Sequence, residues 1–307
     1  MLAYLQLIRL PTVFTAMADI MLGYVLTHRL IVGPQGWDNP AKFFGLLASS
    51  CCLYLAGMVF NDIFDRKQDA AERPSRPIPS GRVSVTNATI LGGCLMLAGI
   101  VLATRVGDVS SHVASLLVVA ILAYDAVLKR TPLAPIAMGL CRALNVMLGA
   151  SSDHNTWKPF FLGPPQLYAA AFLGLYIVGV TLFARTEAKT SSRWLLGLAL
   201  LILDAAFGGL AWLVSSWPTG AKVPVVLAML CVIAFTLNRR AIAAIVEPSP
   251  EKVQLTIKVM LLSYVMLDAT LVFWKMSESG QLGSAHALAT AALVIPALLL
   301  SRLIPMT

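Results

Sequence analysis

Ten apolar runs, each near the length of a bilayer crossing, limit what this chain can fold into. They lie near residues 12–30, 42–60, 86–104, 111–128, 133–150, 166–184, 194–215, 222–238, 255–274 and 284–303. A span needs about 20 mainly apolar residues, because hydrocarbon offers the backbone no hydrogen-bond partner. Asp, Glu, Lys and Arg make up only 12% of the 307 residues, and 58% are hydrophobic. A soluble domain carries about twice that share of charge. The chain reads as an all-α, multi-pass integral membrane protein, in one domain over 1–307. No internal repeat, low-complexity tract or long soluble linker marks a second domain. No charged leader with a small-residue cleavage site precedes the first run, so no removable signal is expected.

The net charge of +8 could point to nucleic acid, but topology accounts for it better. With the N-terminus in the cytoplasm, most of the cations fall on that side, among them Arg9, Arg66, Lys67, Arg73, Arg76, Arg82, Lys129, Arg130, Arg185, Lys189, Arg193, Arg239 and Arg240. The other side holds Arg29, Lys42, Arg105, Lys158, Lys222 and Lys275. This is the positive-inside asymmetry of a membrane protein, and the expected location is a bacterial inner membrane. The five cysteines all lie in apolar runs without a CxxC pair and read as small core residues.

Against so little charge, the stretch from Asn61 to Asp69, with Asp62, Asp65 and Asp69, stands out at the end of the second run. The spacing i, i+3, i+7 places the three carboxylates within an arc of about 60° on a helix. Carboxylates sharing a face repel one another unless a cation sits among them. Magnesium suits such a set, since it shares its shell between one or two carboxylates, waters and substrate phosphates. The alternative is a solvated helix end with paired charges. Arg73, Pro74, Arg76, Pro77, Pro79, Gly81 and Arg82 follow. Prolines stiffen this segment, and Arg73 and Arg76 can fork onto a diphosphate, or onto anionic lipid headgroups.

Lys129 and Arg130, after the fourth run, either reach the same phosphates or anchor the topology, and Asp125 stands one turn from Lys129 as a simple helix pair. After the sixth run come Arg185, Glu187, Lys189, Ser191 and Arg193. Glu187 and Ser191 share a helix face and form a weak second metal site or part of a phosphate-binding rim. Within the runs, Asp19, Arg142, Asn145, Asp204 and Asp268 need a cavity or a partner. One arginine among three aspartates predicts at least one ion pair. Arg142 and Asn145, spaced i, i+3, read as an acceptor headgroup pocket or as interhelical hydrogen bonding.

These residues resemble the UbiA superfamily of intramembrane prenyltransferases, of the 4-hydroxybenzoate polyprenyltransferase type. The first family motif, NDxxDxxxD, is matched by Asn61, Asp62, Asp65 and Asp69. The downstream RP…G element is similar to Arg76-Pro77 and Gly81, and Tyr124…Lys129-Arg130…Pro132 resembles the connection between the fourth and fifth helices. The opening Arg9-Leu-Pro11-Thr is similar as well. The resemblance covers roughly 5–275. Two features depart from it: the second Asp-rich motif is reduced to Glu187 and Ser191, and 284–303 adds a tenth helix to the family's nine.

The resemblance implies a bundle of nine core transmembrane helices around a central cavity, with a tenth at the C-terminus. It implies magnesium-dependent transfer of an isoprenyl chain from an allylic diphosphate to an acceptor, expected to be aromatic. Asp62, Asp65 and Asp69 would be catalytic and, with Glu187, hold metal. Asn61, Arg73, Arg76, Lys129, Arg130, Arg142, Asn145 and Lys189 would bind substrates. Transfer to a non-aromatic lipid such as a glycerol, an isoprenoid carrier with weakened chemistry, and an unrelated transporter are the alternatives.

Overall fold

The computed structural model describes residues 2–28, 39–153, 165–185, 192–217, 222–276 and 281–303. A short helix α1 (Leu2–Leu7) leads into α2 (Val13–Thr27) through a 3₁₀ turn at Leu10–Thr12. The break falls at Pro11, which has no N–H to give and crowds the carbonyl four residues back. Then follow α3 (Pro40–Glu72), α4 (Val85–Val106), α5 (Asp108–Ala126), α6 (Ala134–Ala150), α7 (Gln166–Ala184), α8 (Arg193–Ser216), α9 (Val223–Val246) and α10 (Pro250–Met276). Every described element is helical, so the all-α expectation holds among the described residues.

Helices α2 to α10 are nine. Eight of them, counting the Leu10–Thr12 turn with α2, are long and apolar enough to cross a membrane. The exception is α6, the run with Arg142 and Asn145, which has 17 residues. The tenth run does not form one straight helix. It splits into α11 (Gln281–Ala292) and α12 (Val294–Leu303). Pro296 cannot donate to the Ala292 carbonyl and its ring crowds it; the Leu293 N–H turns back to Thr290 O instead, at 3.1 Å.

The helices close into a ring. α3 packs on α2, α4 and α5; α5 on α6; α6 on α7; α7 on α8; α8 on α9; α9 on α10; and α10 returns to α2. α11 lies along α10, and α12 reaches the Leu10–Thr12 turn and α2. Large apolar side chains on α4, α8 and α9, including Leu97, Leu201, Val232 and Phe235, face outward, where lipid replaces water. Cys94 and Cys231 are on that outer side too, so the reading of all five cysteines as core residues is corrected for these two.

The most extensive contact across the ring is between α2 and α6, with smaller ones between α7 and α10, α3 and α6, and α2 and α7. A Cβ added to Gly23 would stand 2.1 Å from Val146 O, and one on Gly149 2.7 Å from Ile20 O. Without side chains here the two backbones touch, the close approach that small residues permit between membrane helices. Asp19 is one turn before Gly23, and Asn145 one turn before Gly149, so the crossing brings their side chains together.

Candidate active site

The Asp-rich face is the last third of α3, beyond its apolar part. Asp62 and Asp69 share one cation: Arg76 Nη1 lies 2.7 Å from Asp69 Oδ2 and 3.4 Å from Asp62 Oδ1. Arg9 Nη2 is 2.6 Å from the same Asp62 oxygen. Asp65 turns toward the next connection, where Lys129 Nζ lies at 2.8 Å and Arg130 Nη2 at 3.7 Å. The three carboxylates are thus divided between two cation groups, and are not left facing one another. Lys129 is also 3.9 Å from Asp125, the longer of its two contacts, so the i, i+4 pair is secondary to Asp65.

Local structure explains this placement. After Arg73 caps α3 with its N–H on Asp69 O, the chain folds back. Ile78 and Val83 bury against Leu7, Val59 and Ile63 in a small apolar cluster. Ser80 Oγ donates to Arg76 O at 2.6 Å, and Gly81 takes φ +72°, a left-handed turn that favours glycine. The result buries Arg76 beneath the carboxylates, whereas Arg73 is exposed at the helix end. Arg82 bonds Gln6 Oε1 at 2.8 Å and Ser80 Oγ at 3.0 Å, pinning the segment to α1.

Arg9 is the residue that motif spacing alone did not assign. Its φ of 46° is left-handed, a conformation that costs a branched-free but bulky residue and tends to persist at functional positions. The Thr12 hydroxyl bonds its carbonyl at 2.8 Å. The signal in the sequence was Pro11, which forces the break that turns Arg9 toward Asp62.

Beneath the carboxylates lies a cavity of about 300 Å³ among α3, α5, α6, α7 and α10. Asn61, Tyr124 and Asp125 stand at its charged mouth, with Asn61 Nδ2 donating to Asp125 Oδ1 at 2.8 Å. Its walls include Met58, Leu117, Ile121, Ile177 and Val180. Ser50, Tyr54, Arg142 and Asn145 line the far part. There Arg142 Nη1 meets Asp19 Oδ2 at 3.1 Å, the ion pair that the count of intramembrane charges predicted. Asp204 accepts from Asn238 at 2.7 Å, away from the cavity. Asp268 is fully buried on α10.

Of the predicted site residues, the fold gathers Asn61, Asp62, Asp65, Asp69, Arg76, Lys129 and Arg130 at the mouth, and Arg142 and Asn145 deeper. Glu187, Lys189 and Ser191 lie outside the described residues. Arg185, just before them, donates to Thr131 O at 3.4 Å, beside the Lys129 turn. Arg193 turns away, to Val246 O at 3.0 Å.

The donor set suits a hard divalent cation. Asp62, Asp65 and Asp69 offer carboxylate oxygens already occupied by positive charge, and magnesium needs only one or two of them when phosphate oxygens and waters complete its shell. Among the described residues no three metal-ligating side chains converge into a ready-made cage. A metal here would share its shell with a phosphorylated ligand.

This is a membrane bundle with a cation-paired Asp-rich rim over an apolar cavity. The chain belongs to the UbiA prenyltransferase family, whose model matches residues 21–253. It is similar to a digeranylgeranylglyceryl phosphate synthase of Sulfurisphaera tokodaii, 30% identical over 149 residues, 48% of this chain and 51% of the relative. The chain therefore spans about half the length of the curated relatives it matches. Two solved structures share the fold. A UbiA homologue from Aeropyrum pernix K1 has a TM-score of 0.65 at 18% identity, covering 84% of this chain and 97% of that one. One from Archaeoglobus fulgidus, bound to DMAPP and Mg²⁺, has a TM-score of 0.61 at 15% identity, covering 94% and 99%. These relatives are archaeal, and nothing among them supports the bacterial membrane read from the sequence.

Proposed function

We propose that this protein transfers an isoprenyl chain from an allylic diphosphate to the hydroxyl of a non-aromatic, glycerol-based lipid acceptor. The observation that carries the reading is the placement of the cation-paired Asp62, Asp65 and Asp69 rim directly over an apolar cavity. A prenyl diphosphate has the same two parts, a polyanionic head and a hydrocarbon tail. The aromatic acceptor expected from the sequence gives way to the lipid one because the curated relatives are named as digeranylgeranylglyceryl phosphate synthases.

In this reading Arg9, Arg76, Lys129 and Arg130 change partners. In the structure they neutralise the aspartates. With diphosphate present, they neutralise its oxygens. Magnesium, when bound at Asp62, Asp65 and Asp69, supplies further charge stabilisation for the leaving diphosphate. The bond between the allylic carbon and the diphosphate oxygen breaks, and its electron pair leaves with the diphosphate. The acceptor hydroxyl oxygen bonds that carbon and loses its proton to Asp125, the carboxylate that lines the cavity mouth. The apolar walls keep water from the allylic cation. Glu187 and Lys189, outside the described residues, keep the roles expected from the sequence, a weak second-site metal ligand and an added cation for the diphosphate.

The test is purified protein with a panel of allylic diphosphates and acceptors, followed by mass spectrometry of the lipid product. Magnesium-dependent diphosphate release with a prenylated glycerolipid is the expected result, and Asp65→Ala/Asp69→Ala abolishes it. Diphosphate binding without turnover on any acceptor would overturn the enzyme reading in favour of an isoprenoid carrier.

A further inference from the structure

The two polar ends of the cavity differ in charge. Ser50, Tyr54, Gly57, Met58 and Asn61 line it from α3. Ser50 and Asn61 stand eleven positions apart, about 16 Å along a helix axis. The Asn61 end opens beside the ion-paired cations and carboxylates of the rim. The Ser50 end is closed by Arg142 and Asn145, and Arg142 is the one cation lining the cavity among the described residues.

That cation is already committed. Arg142 bonds Asp19 Oδ2 at 3.1 Å and Thr15 Oγ1 at 2.7 Å. It stands 5.4 Å from the Tyr54 ring centroid and 5.3 Å from that of Tyr264. Asn145 is committed as well. Its Nδ2 donates to Asp19 Oδ2 at 2.8 Å and to Ala16 O at 3.0 Å, while its Oδ1 accepts from Ser50 at 2.6 Å. Asp19 itself has no exposed surface and lies behind the cavity wall. It holds both residues through one oxygen. Asp268, equally buried, places a second carboxyl group beside Asp19.

We infer that Asp19, backed by Asp268, is a specificity-determining positioning residue: it neutralises Arg142 and orients Arg142 and Asn145 so that the deep end of the cavity admits an uncharged chain end and rejects an anionic one. An isolated arginine at this depth would attract a carboxylate or phosphate. With Asp19 bonded to it, a buried anion finds no unspent charge to offset its desolvation. The inference rests on the proposal that a diphosphate head occupies the Asn61 end, and it implies that any phosphate on the acceptor is met by rim cations and not by Arg142.

The experiment is calorimetric binding, with magnesium present, of saturated alkyl diphosphates of graded length that end in methyl, hydroxyl or carboxylate. Saturated chains do not react, so no turnover intrudes. At lengths that reach Ser50, the carboxylate-ended ligand binds wild type at least about tenfold more weakly than the hydroxyl-ended one, a difference of about 1.4 kcal/mol. Shorter chains show no such gap. Asp19→Asn narrows the gap, Asp19→Asn/Asp268→Asn inverts it, and adding Arg142→Gln to that pair removes the inversion. A purely structural role for Asp19 would weaken all three ligands alike. Equal binding of the carboxylate and hydroxyl ligands to wild type at every length overturns the inference, even if no variant folds. So does an unchanged gap in the Asp19→Asn/Asp268→Asn protein. Failure of the methyl-ended ligand to bind at all defeats the diphosphate reading first, and is told apart from the other outcomes by that.

Discussion

The rim and the deep end of the cavity are both made of aspartates bonded to arginine or lysine, yet they do different work. At the rim the cations come from connections between helices: Arg9 from a broken helix start, Arg76 from the turn after α3, Lys129 and Arg130 from the α5–α6 turn. Arg130 keeps 64% of its side-chain surface exposed. In the deep end, Asp19 and Arg142 are carried on packed helices that meet backbone to backbone at Gly23 and Gly149. The exposed pair of Arg130 with Asp65 contributes little to stability and exchanges partners at small cost. A buried pair is costly to break, because the survivor is left charged without a partner. Arg76 and Lys129 are as buried as Arg142, so the two ends differ in what carries the pairs: connections and an exposed Arg130 at the rim, packed helices in the deep end.

The sharpest way to break this contrast is to remove one partner at each end. Arg142→Ala should destabilise the protein by about 3–5 kcal/mol, since it strands Asp19, and lower its thermal midpoint in detergent. Arg130→Ala, which removes the exposed partner of Asp65, should leave the midpoint nearly unchanged, the loss staying within about 1 kcal/mol. Equal shifts for the two variants would erase the distinction.

A smaller effect separates chemistry from binding at the rim. Asp125→Asn should lower kcat by about a hundredfold or more, the scale of general-base loss, while magnesium-dependent diphosphate affinity is retained. A change in diphosphate affinity with kcat intact would assign Asp125 to the ligand set instead.

Smaller again is the consequence of separating α2 from α6. Gly23→Ala puts a methyl group against the Val146 carbonyl and should cost about 1–3 kcal/mol, as overpacking does. It should loosen Asp19 from Asn145 without touching the rim, so diphosphate binding by calorimetry stays as in wild type. The smallest expected change is that of Arg73→Ala. Arg73 is exposed and stands beside the carboxylates without joining the ion pairs described, so thermal stability should not move. Diphosphate affinity should fall by only a few-fold, within the energy of an exposed charge contact. A loss as large as that of Arg76→Ala would place Arg73 in the inner set.

Much of this arrangement was legible before any coordinates. The span-length runs reproduced the nine helices of the bundle, because twenty apolar residues in a row leave few alternatives to a membrane helix. The i, i+3, i+7 spacing put Asp62, Asp65 and Asp69 on one side of α3, because helical periodicity is local. Pro296 interrupted the tenth run against expectation, although the proline itself was visible. The apolar composition outweighed it in reading the run as continuous.

Three things were decided only by tertiary structure. Which cation meets which aspartate depended on where the connections fold back, so Arg9 reached Asp62 across 53 positions and Arg76 was buried beneath the carboxylates while Arg73 was not. The partner of Asn61 is Asp125 on α5, a choice no spacing within α3 could make. The pairing of Arg142 with Asp19, 123 positions earlier, needed the glycine crossing of α2 and α6. Sequence by itself determined the helices, their faces and the chemistry each face carries, since those follow from composition and the period of the chain. The fold decided which of those faces meet, because ion pairing and cavity shape depend on distances of a few ångströms between residues remote in sequence.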